Sequence, residues 1–290
     1  EKLDIQAQMD QRWQYKNAMN QYTEAAFTPA HREAMQGILE SQHGQLVEGI
    51  AAGRGMEPGE VEGLIDRGPF LAAEALSSGL VDRLGYRDEA YARAREGAPG
   101  SQLRTVAAYL EGAGRPNRRG PKVALVHGIG SVVRGQSGND PLLGARTMGS
   151  DTVAQALRDA TADEAVRAIV FRVDSPGGSY VASDTIWHEV ERARAAGKPV
   201  VVTMGNVAGS GGYYVAMSAD RIVAQPGTVT GSIGVLGGKL VTRDFLANKL
   251  GVTVDDVSVS DNAHMYLSTT PYSASEWSRH QAWLDRVYDD

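Results

Sequence analysis

The sequence has no cysteine in 290 residues. That absence removes disulfides, zinc–thiolate sites, cysteine-ligated iron–sulfur clusters and a cysteine nucleophile. Covalent catalysis would have to run through Ser, Thr, Lys, Asp, Glu, His or Tyr. Positive charge is not in excess either. Lys and Arg number 29 against 35 Asp and Glu, a formal net charge of −6, which argues against a nucleic-acid partner held on a basic face. The longest charge-free run covers 199–219, but it carries Asn206, Ser210, Ser218 and glycines at 205, 209, 211 and 212. A buried strand entering a Gly-rich turn fits that makeup better than a lipid-spanning helix. The first residues are polar and charged, without a signal-peptide pattern. A membrane anchor is therefore expected only from residues outside this sequence.

What is present reads as globular. Hydrophobic residues make up 42% and charged residues 22%, ordinary values for a folded chain of one large or two modest domains. Residues 1–95 read as mostly helical: Thr28-Pro29 has the form of an N-cap followed by proline at the first helical position. Apolar residues at helical spacing continue to about Ala52, further helices are expected near 58–65, 70–78 and 88–95, and Gly79 stops the second of these. Residues 96–120 collect glycines and prolines with Arg115, Arg118 and Arg119, the composition of a linker. From 121 onward strands alternate with helices. Strands are expected at 123–126, 168–173, 199–204 and 221–224, and helices at 151–161, 182–196 and 210–218. Continuous apolar strands separated by helices indicate an α/β fold with a parallel sheet covered on both faces. Ser273 and Glu276 have capping-box spacing and open a last helix that is still running at Asp290, so a piece of a longer protein is expected.

Two Gly-rich turns follow strands in the α/β half. One is Asp174-Ser175-Pro176-Gly177-Gly178-Ser179, and the other runs from Gly205 to Gly212 with Ser210 between glycines. Turns at the carboxyl ends of parallel strands are where open α/β sheets hold their sites. Glycines allow backbone N–H groups to approach a ligand, so two such turns side by side supply two donors to one developing oxyanion. The bland alternative is a pair of tight turns and an N-capping serine. A serine nucleophile also needs a base. The histidines are at 31, 43, 127, 188, 264 and 280, and only His127 sits in a persuasive turn. A lysine would have to be desolvated to be neutral near pH 7, and spacing alone does not choose which.

Four motifs in order, Asp174-Ser175-Pro176-Gly177-Gly178, Lys198-Pro199-Val200-Val201-Val202, Gly209-Ser210-Gly211-Gly212-Tyr213-Tyr214 and Thr230-Gly231-Ser232-Ile233-Gly234-Val235, resemble the signal peptide peptidase A family. Upstream, Tyr15-Lys16-Asn17-Ala18 with Phe27-Thr28-Pro29 and Arg32-Glu33 resembles that family's segment around its catalytic lysine. The segment from Ala75 to Gly85 is similar to the one that closes a repeat. The resemblance implies a ClpP/crotonase-type fold and a serine–lysine protease. In the family's short form the lysine follows the serine, yet 257–268 holds Asp261 and Asn262 and no lysine, and the last lysine is Lys249. In the long form, made of two tandem repeats, the lysine precedes the serine, and Lys16 lies 194 positions before Ser210. By this resemblance Ser210 is the nucleophile, Lys16 the general base and Ser232 the residue that orients the lysine. The backbone N–H groups of Gly178 and Gly211 then form the oxyanion hole. Residues 1–95 would be the end of a first repeat, and 121–290 a second repeat, incomplete at its C-terminus.

No metal or cofactor is implied. The substrate class implied is an apolar peptide such as a remnant signal peptide. Small residues around Ser210 leave room for a small side chain beside the scissile bond, and the charge-free stretch 222–238 suits an extended apolar chain. The resemblance further implies a homo-oligomer on the cytoplasmic membrane, working on its extracytoplasmic side. Three rival readings stand beside it. Ser210 with Asp261 and His264 has the chain order of an α/β-hydrolase esterase. A crotonase-like acyl-CoA enzyme would use the paired glycines without a nucleophile. A non-catalytic oligomeric scaffold would need neither.

Overall fold

A computed structural model describes residues 2–114, 120–139 and 144–290. Arg115, Pro116, Arg118 and Arg119 of the expected linker lie outside the described residues. The chain divides into two compact units, one made of Glu1–Leu39 with Lys122–Asp290 and the other of Glu40–Pro121.

The first unit opens with strand β1 (Gln6–Arg12), followed by the single turn α1 (Asn20–Thr23) and the start of helix α2 (Pro29–Arg54). Thr28 Oγ1 accepts from His31 N, as the Thr-Pro signal predicts. The strand departs from the helical reading of 1–95. Its residues, Gln-Ala-Gln-Met-Asp-Gln-Arg, carry little apolar patterning, and its conformation is set by tertiary pairing.

The second unit holds the rest of α2 and the helices α3 (Pro58–Arg67), α4 (Ala72–Ser77), α5 (Arg87–Glu96) and α6 (Val106–Ala113). Its small core joins Val47, Ala51 and Val61 to Ile50, Met56 and Ile65. Helix α6 falls inside the stretch whose composition marks a linker. Thr105 caps it by accepting from Ala108 N, a local signal that the surrounding glycines outweigh in a composition count.

The first unit resumes with strands β2 (Lys122–Ile129), β3 (Ser131–Val133), β4 (Gly138–Asn139) and β5 (Arg146–Gly149) and helix α7 (Ser150–Ala162). Strand β6 (Val166–Ser175), helix α8 (Tyr180–Ala195), strand β7 (Val200–Gly209) and the short helix α9 (Gly211–Tyr214) come next. Strands β8 (Arg221–Val223), β9 (Val229–Gly231) and β10 (Val235–Val241) and helices α10 (Arg243–Leu250) and α11 (Ala274–Asp289) complete it. The main sheet runs β2-β6-β7-β8, with β9 also on β7, and every pairing in it is parallel. Strands β3, β5 and β4 form a small second sheet, and β1 pairs antiparallel with β10 in a two-stranded ribbon from Gln6↔Val241 to Arg12↔Val235.

The core lies between the main sheet and helices α7 and α8. Ile169, Phe171 and Val173 of β6 and Val200 and Val202 of β7 meet Leu157, Ile186 and Val190, all fully buried. Helix α8 buries Ala182, Ile186, Val190 and Ala193, the three-to-four spacing of one helical face. The α/β fold with a parallel sheet and flanking helices is as expected, with exposed apolar residues at its edges: Val123 and Leu125 of β2 are each 60% exposed and Val223 of β8 is 50% exposed.

Candidate functional site

Both Gly-rich segments end their strands later than the apolar runs predict. Strand β7 continues through Gly205 to Gly209 because Asp174, at the end of β6, accepts from Val207 N at 3.1 Å and carries the pairing on to Ser175↔Ala208. Gly205 is needed there: a Cβ would lie 2.6 Å from Asp174 Oδ2. The expected helix at 210–218 contracts to the four residues of α9.

Ser210 stands between β7 and α9 with φ 51° and ψ −120°. A serine in the left-handed region is strained by about 1–3 kcal/mol, and such strain persists only where the surroundings hold it. Here Ser210 N donates to Gly231 O at 2.9 Å, while Ser210 O accepts from Tyr213 N and Tyr214 N, each at 2.9 Å. The side chain makes no capping bond. The N-capping reading of this serine therefore fails, and the hydroxyl is left to the cavity that it lines.

The glycines fit the two turns into each other. A Cβ on Gly177 would lie 2.6 Å from Gly211 N and 2.8 Å from Ser210 Cβ. A Cβ on Gly211 would lie 3.3 Å from Gly178 N. Gly178 adopts φ 154° against the backbone of Val132, in a bridge that uses Gly177 O and Ser179 N and leaves the Gly178 N–H out. Gly178 and Gly211 line the same cavity as Ser210.

Lys16 reaches this cavity from the loop after β1. Only 6% of it is exposed. Its Nζ donates to Ser232 O at 2.7 Å and to Ser232 Oγ at 3.0 Å. Ser232 also has a positive φ, 52°. Burial lowers the Lys16 pKa from 10.5 to about 8, and no carboxylate among the described residues opposes the shift. Around the loop, Tyr15 donates to Glu33 Oε2 at 2.8 Å, and Asn20 Nδ2 lies 3.5 Å from Thr28 Oγ1. The Tyr-Lys segment and the Thr-Pro segment are thus joined in space.

The cavity, about 490 Å³, holds Lys16, Gly178, Ser210, Gly211 and Ser232 together. His264 and Asp261 are not among its lining residues. His264 Nε2 lies 3.0 Å from Asp256 Oδ2 instead, so the esterase pairing of Ser210 with His264 is not assembled. His127 is an exposed residue of β2. Tyr214, Met217, Leu236, Trp283 and Val287 add large walls to this cavity. Sequence reasoning missed the wall from α11. The helix itself was legible, since Ser273 and Glu276 form the expected capping box, but which face meets the cavity depends on packing against β1 and β10.

A buried lysine, a serine at positive φ and two glycine turns line one cavity of an α/β unit. The sequence profile of peptidase family S49 matches residues 1–100 and 192–290. The chain belongs to peptidase family S49. Protease 4 of Salmonella typhi is 33% identical over 282 residues, covering 92% of this chain and 44% of that protein. The chloroplastic serine protease SPPA of Arabidopsis thaliana is 29% identical over 270 residues, 89% of this chain and 39% of that protein. The chain therefore spans less than half the length of these relatives. Among solved structures, a ClpP1 mutant from Listeria monocytogenes aligns over 33% of this chain and 46% of its own, at 19% identity and a TM-score of 0.24, too slight a likeness to bear on the reading.

Proposed function

We propose that the protein is a serine endopeptidase working through a Ser210–Lys16 dyad and an acyl-enzyme. The observation that carries this reading is the buried Lys16, bonded to Ser232 and paired with no carboxylate among the described residues, on the cavity that Ser210 lines. Neutral Lys16 takes the proton as Ser210 Oγ attacks the scissile carbonyl. The Gly178 and Gly211 N–H groups receive the oxyanion. Collapse of the tetrahedral intermediate expels the amine, which takes the proton back from Lys16. Water, deprotonated by the same lysine, then releases the acyl group. Ser232 orients Nζ through its hydroxyl and carbonyl oxygens.

The substrates we propose are apolar peptides, cleaved signal peptides among them, which suit the apolar cavity walls. The enzyme would act as a homo-oligomer on the extracytoplasmic side of the cytoplasmic membrane. No helix among the described residues is long and apolar enough to cross a membrane, so attachment would use other residues. The match of one family profile to both 1–100 and 192–290 supports a reading of the chain as the end of one repeat and most of another.

The test is hydrolysis of an apolar signal-peptide-like substrate by the full-length protein. Ser210→Ala and Lys16→Ala should each lower kcat by about 10⁴-fold while the fold is retained. In the wild type, kcat/KM should rise with pH through about 8 as Lys16 loses its proton. An active Lys16→Ala variant would sink the dyad, and an active Ser210→Ala variant the enzyme reading itself.

A further inference from the structure

The lysine is mounted on little. Among the described residues strand β1 has a single partner, β10, and a two-stranded ribbon is marginal by itself. Lys16 follows that strand by four residues and is tethered at Nζ by Ser232, so whatever holds the ribbon in place also bears on its distance from Ser210. Helix α11 packs on both strands of the ribbon. A Cβ on Gly237 of β10 would lie 2.9 Å from His280 and 3.0 Å from Trp283.

The contact centres on Arg12, the last residue of β1. Its Nε donates to Asp285 Oδ1 at 2.6 Å and its Nη2 to Gln281 Oε1 at 2.7 Å. Nη1 donates back to Gln11 O at 2.9 Å and to Asp10 Oδ2 at 3.2 Å, and Gln281 Nε2 joins that same Asp10 oxygen at 2.7 Å. The Arg12 side chain is 17% exposed. One guanidinium thus locks the end of the lysine strand to consecutive turns of α11. Around Asp290 the chain lies beside the glycine turns, where Tyr180 OH donates to Asp290 Oδ2 and the Tyr180 ring meets Tyr214 edge-on at 5.8 Å. Between these anchors Trp283 and Val287 form a cavity wall.

We propose that α11 is a strap that sets the spacing of base and nucleophile, with Arg12 as the positioning residue on the lysine side and Tyr180 on the serine side. The proposal rests on the Ser210–Lys16 reading. Lysine could not replace Arg12, because it lacks the fork that reaches Asp285 and Gln281 together. Loosening the Arg12 anchor would let water reach Lys16 and move Nζ relative to Ser210, and a displacement of about 1 Å is enough to lower a rate about 10²-fold.

The experiment measures kcat, KM and the pH profile of the full-length protein with Arg12→Gln, Asp285→Asn and Tyr180→Phe, beside Lys16→Ala and thermal unfolding. Asp285 is 59% exposed, so its amide variant provides a mild break should Arg12→Gln not fold. Expected for Arg12→Gln and Asp285→Asn is a fall in kcat of about 10- to 100-fold with KM nearly constant, and an acid limb displaced to higher pH. Tyr180→Phe should lower kcat less and leave the limb in place. A merely structural role would lower the unfolding temperature and move neither kcat nor the limb of the folded fraction, and that result overturns the proposal. If Lys16→Ala is itself active, the dyad reading falls first. If Lys16→Ala is dead and Asp285→Asn behaves as wild type, only the strap falls.

Discussion

Ser210 leaves a strand with neighbours on both sides, whereas Lys16 leaves a strand with a neighbour on one. Strand β7 is flanked by β6 and by β8 and β9 and rests on the main core. Strand β1 touches β10 alone in its sheet, and its outer residues are mostly polar. The backbone of the nucleophile is thus carried by parallel-sheet packing, and that of the base by polar clamps and one amphipathic helix. Damage to the first region should appear as lost stability, and damage to the second as lost rate.

Phe171→Ala, a fully buried ring on β6, the strand beside the nucleophile strand, should lower unfolding free energy by about 3–5 kcal/mol in urea titrations. Val241→Ala at the end of the ribbon, also buried, removes two methyl-sized groups and should lower it by only about 1–2 kcal/mol. Equal losses would mean that the ribbon is as integral to the core as the sheet.

Lys16→Met should act in the opposite direction. The folded protein holds Lys16 near pKa 8 against 10.5 for an ordinary lysine. Between those values the unfolded chain binds more protons, so wild-type stability rises with pH; below about 8 the folded state carries the full penalty of burying a charge. The neutral variant should be more stable than wild type at pH 7, by on the order of 2–3 kcal/mol. That advantage should shrink as pH climbs from about 8 toward 10.5. A destabilised Lys16→Met variant would mean that the lysine is a structural tie.

Gly211→Ala bears on the paired turns. Its Cβ would press on Ser183 and come within 3.3 Å of Gly178 N, pushing apart the two N–H groups assigned to the oxyanion. We expect kcat to fall about 10²-fold with KM nearly unchanged, and unchanged kinetics would remove this pair from the mechanism.

The same contrast explains what could be read in advance. The glycine turns, strands β6 and β7 and helices α7, α8 and α11 were legible because each carries its own signal: continuous apolar runs, a helical stripe such as Ile186 with Val190, or the Ser273–Glu276 box. Strand β1 was not, because Gln6 to Arg12 has no local reason to be extended apart from Val235 to Val241 across from it. The reach of β7 beyond Met204 was hidden for a similar reason, since a side chain of another strand, Asp174, holds Val207 in line. Lys16 itself could be picked out only by family resemblance and chain order. Its burial against Ser232 depends on contacts 216 positions away, which no local pattern encodes.

The smallest effect is also the most discriminating. Ser232 offers Lys16 two acceptors, its carbonyl oxygen at 2.7 Å and its hydroxyl at 3.0 Å. Ser232→Ala removes the second and keeps the first, so the lysine stays tethered, and kcat should fall only about tenfold, within the range of one lost hydrogen bond to a charged group. Alanine, however, must also occupy φ 52°, so backbone strain is a second source of rate loss in that variant. Ser232→Gly answers that, because glycine adopts this region freely and lacks the same hydroxyl. If both variants lose the same factor, the hydroxyl orients the base. If glycine restores the rate, the backbone turn was what mattered, and Ser232 belongs to the scaffold of the site.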